Sequence, residues 1–326
     1  MNPAATSPAN RAARRRWYRH GWNRPVSWEL VLRITPRLPR FVLVPLHHVT
    51  TMICMAWMTS ERRAARRNLR RVTGATGLAL LGTVYRLFHN FSRFIVAYGE
   101  MRDLSLERFL HRLVGADRTE ALFREVLARG GGMVLVTMHL GQWDLGLKLL
   151  SRFDVPVHVV MLSEDPQEVT RYAEAARTWA GLKVHSMADS SLLAIKLMMA
   201  LKRGEVVAIQ GDRPVGPNVM PMELFGETTM LPTGPVQLAL ATGAPLVPVF
   251  VLFDRKDRYR LLSYPPMTFA REGGVDPDAT AQAMRRLIEV MESVVSQYPD
   301  QWFNFYDVWP EPTGDPSAPE PAPRAG

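Results

Sequence analysis

The sequence lacks several features that define whole classes of protein. Its 326 residues contain one cysteine, Cys54, which excludes a disulfide framework and a cysteine-based zinc site. It has no internal repeat, and no apolar run follows the first arginine cluster as it would in a secretory signal. It also has no Gly-x-Ser-x-Gly, which argues against a hydrolase built on a nucleophile elbow. Its 47% hydrophobic content indicates a large globular core.

Lysine is absent from the first 71 residues, although fifteen arginines and only two acids, Glu29 and Glu61, occur there. This region carries a net charge of +13, whereas the other 255 residues carry −4. Such a region suits an anionic surface, either nucleic acid or lipid headgroups. We predict an anionic membrane lipid and no nucleic acid, because tryptophans lie among the arginines and no zinc-finger, RRM or KH signature occurs.

An apolar stretch at residues 41–58 is the candidate membrane segment. Its eighteen residues are near the lower limit for a bilayer span, and Pro45, His47 and His48 dilute it. Arginines flank both ends, whereas a spanning helix usually concentrates positive charge on one side. We therefore favour a helix that lies on the membrane surface or inserts shallowly, with a true span and a buried soluble helix as alternatives. We expect residues 1–72 to carry most of the membrane association.

Hydrophobic periodicity gives the organisation of the chain. Apolar residues at spacings of three and four predict helices at 61–72, 78–99 and 118–129. Strands and helices then alternate, with strands at 133–137, 155–161, 182–186, 205–210, 244–253 and 258–264, and helices at 141–153, 166–180, 189–202, 233–242 and 278–297. This alternation predicts an α/β fold whose central sheet, mostly parallel or mixed, is flanked by helices, with N-terminal membrane-associating helices. We expect one domain over 25–310, a disordered basic arm at 1–24 and a disordered proline-rich tail at 311–326.

One segment, TMHLGQWDLG at residues 137–146, has the composition of a catalytic site. His139 follows a predicted strand, and Asp144 lies five residues later in the first turn of the next helix. The spacing lets the Asp144 carboxylate fold back onto the imidazole, where it would fix the tautomer and raise the basicity of a general base. Gly141 permits a tight turn, and the N terminus of the next helix offers N–H groups to a developing oxyanion. Alternatively, His139 is a satisfied polar residue at a strand end.

A second segment, QGDRP, follows another predicted strand. Asp212 and Arg213 would therefore lie on the same edge of the sheet as His139. We predict that Arg213 binds a phosphate or a carbonyl oxygen and that Asp212 positions it, the alternative being an ion pair in a surface loop. The acids and histidines do not form a ligand cluster, so neither a metal nor a cofactor is predicted.

The ordered blocks resemble a known family. The blocks are NLRRV at 68–72, RLFHNFSRF at 86–94, the His-x4-Asp (HX4D) segment MHLGQWDLG at 138–146, GDR at 211–213, LFG at 224–226, PTGPVQLALATGAPLVPVF at 232–250 and YPDQWFNFYDVW at 298–309. In this order they resemble the late (lauroyl/myristoyl-type) lipid A acyltransferases, which are related to phosphatidylinositol mannoside and lysophospholipid acyltransferases. The resemblance covers roughly residues 60–310 and implies a glycerolipid acyltransferase-like fold.

The resemblance also implies a reaction, in which an acyl carrier protein or coenzyme A thioester donates a fatty acyl group to a hydroxyl of a glycolipid such as a lipid A precursor. The implied location is the cytoplasmic face of a bacterial inner membrane. His139 and Asp144 become the implied catalytic pair, and Gln142 and Arg177 join Gly141, Asp212 and Arg213 as candidate substrate-binding residues.

The sequence departs from the family at two points. Many lipid A members have Glu where this chain has Asp144, and the glutamate that pairs with the histidine in the mannoside branch has Glu223 as its nearest candidate here. These departures leave open a glycerophospholipid or aminolipid acceptor. A non-catalytic membrane-binding scaffold of the same fold is a further alternative, but it is expected to lose the His/Asp pair, and here both residues are intact.

Overall fold

The computed structural model describes residues 38–100, 104–161, 182–186, 192–215, 218–255, 258–269 and 276–310. The expected disordered arm at 1–24, the expected tail at 311–326, the predicted helix at 166–180 and Arg177 lie outside the described residues.

The described N-terminal residues begin with three helices, α1 (Arg40–Trp57), α2 (Thr59–Thr73) and α3 (Gly77–Glu100). The helices predicted at 61–72 and 78–99 are confirmed. In the described part of the chain, no single helix is both long and apolar enough to cross a bilayer. The consecutive pair α1 and α2 meets that requirement together, by length and composition, across a bend of 96°.

From residue 133 onwards, the described strands and helices include all those predicted except the helix at 166–180, together with an unpredicted strand pair. In chain order the elements that follow α3 are α4 (Leu106–Arg112), β1 (Leu113–Val114), α5 (Ala116–Ala128), β2 (Met133–Thr137), α6 (Trp143–Leu150), β3 (Val157–Met161), β4 (Lys183–Ser186), α7 (Leu193–Lys202), β5 (Val206–Gln210), β6 (Val219–Leu224), β7 (Glu227–Pro232), α8 (Gly234–Thr242), β8 (Leu246–Phe253), β9 (Tyr259–Ser263) and α9 (Pro277–Gln297), followed by a short 3₁₀ turn, Pro299–Gln301.

A seven-stranded sheet of order β1-β9-β8-β2-β5-β3-β4 forms the centre. Strands β8, β2, β5, β3 and β4 are parallel, and β9 runs antiparallel to β8. The sheet is therefore mostly parallel with a mixed edge, which confirms the predicted α/β class. Helices α7, α8 and α9 contribute to the core on one face, where Val134 and Val207 point, whereas α5 and α6 pack on the opposite face against Met133 and Val206. Burial on both faces explains the continuous apolar runs of these strands.

A two-stranded antiparallel hairpin, β6–β7, was not predicted. Pro221 and the alternation of buried Met222 with exposed Glu223 obscured it in the sequence. At its tip Phe225 adopts φ 51°, a left-handed conformation that is uncommon for an aromatic residue. Trp309 packs edge-on against the Phe225 ring, and the Phe225 N–H donates to Glu292 of α9, so the surrounding contacts hold this turn.

The C-terminal segment 301–309 runs along the loop that follows β2. Leu140 and Trp302 form an isolated antiparallel bridge, and the Gly141 N–H donates to the Gln301 carbonyl at 2.9 Å. The Gln301 amide pairs with both the N–H and the C=O of Phe253, at the end of β8, at 2.8 and 3.0 Å. The segment is therefore tied to the carboxyl edge of the sheet.

Gly141 is required where this loop passes over β8. It adopts φ +63°, and an added Cβ would lie 2.2 Å from the Val251 carbonyl oxygen. Gly74 at the end of α2 is a matched control, because it has φ +66° but no atom within 4 Å of the position that a Cβ would take.

We expect Gly74→Ala to lower the free energy of unfolding by about 1 kcal/mol, the cost of a left-handed alanine. Gly141→Ala is expected to lower it by about 3 kcal/mol or more, because a backbone clash adds to the same strain. Urea denaturation of the two variants measures the difference. Equal losses would show that the loop relaxes around the added methyl group.

Candidate active site

The register of two parallel strands brings His139 and Asp212 together. Strand β2 pairs with β5 from Met133↔Val206 to Thr137↔Gln210, and the Gly211 N–H continues the ladder to the Thr137 carbonyl at 2.9 Å. His139 and Asp212 each lie two residues beyond these paired strand ends. They therefore occupy equivalent positions at the carboxyl edge of the sheet, where open α/β folds bind ligands.

Asp212 holds the imidazole of His139. The distance from His139 Nδ1 to Asp212 Oδ1 is 2.8 Å, and the His139 backbone N–H lies 3.1 Å from both carboxylate oxygens. An ionised carboxylate only accepts, so Nδ1 carries the proton and Nε2 carries a lone pair. Among the described residues, no side chain or backbone group hydrogen-bonds Nε2. The imidazole side chain keeps 18% of its surface exposed, so a substrate group can approach it.

Two further donors reach Asp212 from the C-terminal segment. Trp302 Nε1 and Asn304 Nδ2 donate to Asp212 Oδ2, at 3.1 and 3.2 Å. The Phe303 N–H donates to the His139 carbonyl at 2.7 Å, which fixes the segment beside the histidine. Asp212 is only 1% exposed, so these protein donors replace the water that an ionised carboxylate would otherwise bind.

The charges set the ionisation of the pair. Desolvation raises the pKa of Asp212, but the attraction and hydrogen bond of His139 together with the Arg213 charge outweigh it and lower that pKa to about 2. Burial, then the Arg213 charge, lowers the pKa of His139 below its ordinary 6.5, against the opposing effects of Asp212 and Asp144. At neutral pH the site therefore holds a carboxylate and a neutral imidazole, which is the form that accepts a proton.

The structure corrects the predicted partner of His139. Asp144 lies in the first turn of α6 and is buried, and its charge favours the imidazolium form of His139. The hydrogen bond to Nδ1, however, comes from Asp212. The reason is geometric, because Asp212 reaches the imidazole along the paired strand ends. Asp212 therefore occupies the place beside Nδ1 that the sequence-based prediction gave to Asp144.

Two N–H groups in the turn that precedes α6 are already used within the protein. The Gly141 N–H donates to Gln301, and the Gln142 N–H donates to the Val251 carbonyl at 2.6 Å. The Gln142 side chain is different, because it is 0% exposed and both of its amide atoms lack a hydrogen-bond partner in the described structure. It is thus a buried amide beside the site with unused hydrogen-bonding capacity.

Arg213 is anchored to the C-terminal segment. Its Nε donates to Asn304 Oδ1 at 2.9 Å, and a terminal nitrogen donates to the Phe303 carbonyl at 2.8 Å. The alternative of an ion pair in a surface loop does not fit, since the guanidinium is half-buried and its charge acts on both members of the His139–Asp212 pair. Binding of a phosphate or a carbonyl oxygen by Arg213 stays a prediction.

Glu223 is not the carboxylate that pairs with His139. It lies exposed on β6 opposite Thr228, whereas its neighbours Met222 and Leu224 point into the core. Hydrophobic alternation turns Glu223 to the outer side of the hairpin, and the carboxylate that bonds His139 is that of Asp212.

Aromatic and apolar groups line the space beside the imidazole. Trp143 meets the His139 ring edge-on, with ring centroids 5.3 Å apart, and stacks on Phe94 at 4.4 Å. An apolar cavity of about 40 Å³ lies beneath Trp143 and is bounded by Leu147 and Val251. Within the described ranges, no three His, Cys, Asp or Glu side chains are placed to hold a metal ion.

Sequence reasoning did not assign Trp302 and Asn304, although the block YPDQWFNFYDVW was noted. Their roles depend on contacts over about ninety residues of sequence, such as Trp302 to Asp212. No local spacing signals such a contact. The polar residues of an otherwise aromatic block, Gln301 and Asn304, were the available clue, because buried amides need partners.

Comparisons with known proteins give a consistent group of relatives. A family model described as bacterial lipid A biosynthesis acyltransferase matches residues 26–310. A phosphatidylinositol mannoside acyltransferase of Mycobacterium tuberculosis (strain CDC 1551 / Oshkosh) is 28% identical over 196 residues, covering 58% of this chain and 60% of that protein. One from Mycolicibacterium smegmatis is 26% identical over 185 residues, covering 56% of this chain and 58% of that protein. The matched regions thus span less than two thirds of these relatives.

Proposed function

The chain belongs to the bacterial lipid A biosynthesis acyltransferase family, and we propose that it moves a fatty acyl group from a thioester donor to a hydroxyl of a glycolipid at a membrane surface. The observation that carries this proposal is the Asp212–His139 pair, whose Nε2 has no hydrogen-bond partner among the described residues. Such a pair is suited to removing a proton from a hydroxyl group. No metal or organic cofactor is required, because a thioester is already activated.

The proposed reaction is direct acyl transfer. Nε2 of His139 takes the proton of the acceptor hydroxyl while its oxygen attacks the thioester carbon. The carbon–sulfur bond then breaks, and the leaving thiolate receives the proton from the imidazolium. Asp212 stays ionised throughout and stabilises the imidazolium. Gln142 is our candidate for a substrate contact, because an unpaired buried amide costs about 1–3 kcal/mol and a bound polar group would satisfy it.

The substrates follow from the site and the relatives. Lipid A and phosphatidylinositol mannosides, the lipids in the family and relative names, are both glycolipids. We therefore propose a glycolipid acceptor, a donor carried by acyl carrier protein or coenzyme A, and action at the cytoplasmic face of a bacterial inner membrane.

Helix α1 has the polarity expected of a helix that contacts lipid. Its apolar residues face outward, with Phe41 and Trp57 79% and 78% exposed. Its polar residues face α3, where His47 Nδ1 lies 2.9 Å from Ser92 Oγ and His48 Nδ1 bonds to Tyr85. Burial lowers the pKa of His47 to about 4, so its imidazole adds no charge beside the apolar face at neutral pH. An outward apolar face of this kind marks a contact surface, and we propose that it enters the lipid interface.

The arginines of α2 fall into two rows with different surroundings. Arg67 and Arg71 form ion pairs with Asp307 and Glu227. Arg63, Arg66 and Arg70, spaced by three and four residues, are exposed and form no ion pair within the described residues. We name these three the outer arginine row and propose that it binds anionic headgroups. Deletion of residues 1–72 would remove the buried Asn68 and Leu69, so substitutions test the idea better than truncation.

The first prediction concerns the two carboxylates. His139→Ala is expected to lower kcat by about 10²–10⁴-fold, because the proton acceptor is lost. Asp212→Asn is expected to lower it by about 10²-fold or more, because the amide no longer fixes the tautomer or stabilises the imidazolium. Asp144→Asn, the matched control, should cost less than about tenfold, because Asp144 acts on His139 through its charge alone.

A thioester acyl-transfer assay with membrane-lipid extract as acceptor, run on folded variants at equal concentration, measures these losses. A larger loss in Asp144→Asn than in Asp212→Asn would restore Asp144 as the principal partner. Full turnover by folded His139→Ala would remove the catalytic assignment altogether.

The second prediction concerns pH. Because the pKa of His139 is lowered and its neutral form accepts the proton, kcat should rise with pH with a midpoint below pH 6.5. Asp212 remains ionised over this range, since its pKa is about 2. Asp212→Asn removes a group that raises the pKa of His139, so the residual activity should level off at lower pH still. Stopped-time assays from pH 4.5 to 8, with circular dichroism to monitor folding, test this order; a midpoint above pH 7 would contradict it.

The third prediction concerns the membrane. Changing Arg63, Arg66 and Arg70 together to Gln should weaken binding to phosphatidylglycerol-containing vesicles by about a hundredfold, since each arginine near an anionic surface contributes about 1 kcal/mol. Binding to phosphatidylcholine vesicles alone should change little. The matched control changes three other exposed arginines, Arg118, Arg258 and Arg285, to Gln. Vesicle co-sedimentation at several salt concentrations gives the partition coefficients. Equal losses in both triple variants would indicate that only net charge matters.

A further inference from the structure

The side-chain amide of Asn304 lies between the two charged groups that follow β5. Its Nδ2 donates to Asp212 Oδ2 at 3.2 Å, and its Oδ1 accepts from Arg213 Nε at 2.9 Å. A guanidinium only donates and a carboxylate only accepts, so the amide has a single orientation that satisfies both. Asn304 is 1% exposed, and water therefore does not compete for these bonds.

Asn68 of α2 hydrogen-bonds the backbone of the segment that carries Asn304. Its Nδ2 donates to the carbonyls of Asn304 and Tyr306 at 3.0 and 2.7 Å, and its Oδ1 accepts from the Val308 N–H at 3.3 Å. Both donor hydrogens and the acceptor oxygen are thus used, and the side chain is buried. Asn68 thereby connects three points of the C-terminal segment to the helix that carries the outer arginine row.

We propose that Asn304 is a positioning residue for the carboxylate of Asp212 and that Asn68 acts through it, which couples helix α2 to the candidate active site. This inference rests on the proposed function for its catalytic meaning. The hydrogen-bonded series on which it is built runs from Asn68 through Asn304 and Asp212 to His139, and that series does not depend on the identity of the substrate.

This series of hydrogen bonds gives the two oxygens of the Asp212 carboxylate different side-chain partners. His139 Nδ1 bonds Oδ1, whereas Trp302 and Asn304 both bond Oδ2. Rotation of the carboxylate toward Arg213 would break the bonds to Oδ2, so the two donors keep Oδ1 directed at the imidazole. Hydrogen-bonding partners that orient the groups touching a reactive centre typically contribute about 10–100-fold to activity.

Asn304→Asp tests the positioning directly, because it replaces the donor by a second carboxylate at the same place. The charged and titratable groups facing the pair are Asp212 and Arg213 after β5, Asp144 on α6 and Tyr306 in the C-terminal segment. All four remain in the variant. The new oxygen would lie about 3.2 Å from Asp212 Oδ2, so the two carboxyl groups should repel or share a proton. Either change disturbs the Asp212 carboxylate and should displace the pKa of His139.

The pKa is measured by NMR titration of protein labelled with ¹⁵N-histidine, with the His139 signal identified by its loss in His139→Gln. The nitrogen shifts also report the tautomer, which should be Nδ1–H in the unsubstituted protein. Gln282→Glu, the same amide-to-carboxylate change at an exposed site of α9, is the control and should leave the His139 pKa within about 0.3. An unchanged pKa and tautomer in Asn304→Asp would overturn the proposal. If Asn304→Asp does not fold, the same measurement is made on Asn304→Ala. A displaced His139 pKa in that variant would support the proposal, and an unchanged His139 pKa would overturn it.

Kinetics test the link to α2. Asn304→Ala and Asn68→Ala should each lower kcat by about 10–100-fold with less than threefold change in the donor KM. The double variant should lose no more than the more damaging single variant, because both act through one series of hydrogen bonds. Additive losses with an unaltered pH profile would make Asn68 merely structural. Absence of acyl transfer from the unsubstituted protein would end the proposed function, but the NMR result would still decide the positioning.

Discussion

A buried negative charge is stable only where donors surround it, and the carboxylate of Asp212 imposes this condition on the whole molecule. Taking an isolated carboxylate out of water costs several kcal/mol, so its oxygens must find replacements for the lost hydration. The replacements come from two distant parts of the chain: the backbone and ring of His139 after β2, and Trp302 and Asn304 near the C terminus. The path of the C-terminal segment and the tautomer of the histidine are both consequences of this single requirement.

Much of the central sheet could be predicted from the sequence, and its site only in part. Strands buried on both faces appear as short apolar runs, so β2 was predicted with its observed limits and β5 and β8 within one or two residues. Parallel order places the ends of β2 and β5 at one edge, which predicts that His139 and Asp212 are neighbours. The choice of Asp144 as partner came from spacing along the chain, whereas the observed pair depends on the register between two strands. Spacing within one segment does not contain that information.

The N-terminal helices show the reverse of the usual distribution of polarity. In α1, the histidines and threonines that dilute the apolar segment at 41–58 bond to α3, and the apolar side chains face outward. A sequence average over the segment therefore underestimates how apolar its outer face is. Helix α2 has three distinct surfaces: a buried one with Leu69 and Asn68, one whose arginines pair with Asp307 and Glu227, and the outer arginine row. The arginine count alone did not distinguish the structural arginines from the exposed ones.

The hydrogen bond from the Val308 N–H to Asn68 Oδ1 joins residues 240 positions apart, and this has a consequence for biosynthesis. Domains fold from the N terminus as the chain leaves the ribosome, and contacts between distant residues form late. Helices α1 and α2 are therefore complete, with their apolar and cationic surfaces exposed, long before Trp302 and Asn304 have been synthesised. The carboxylate of Asp212 has no donors from the C-terminal segment until Trp302 and Asn304 have been synthesised. The outward surfaces of α1 and α2 can therefore form before the hydrogen bonds around Asp212 are complete, so synthesis separates in time the two regions that Asn68 joins in the folded protein.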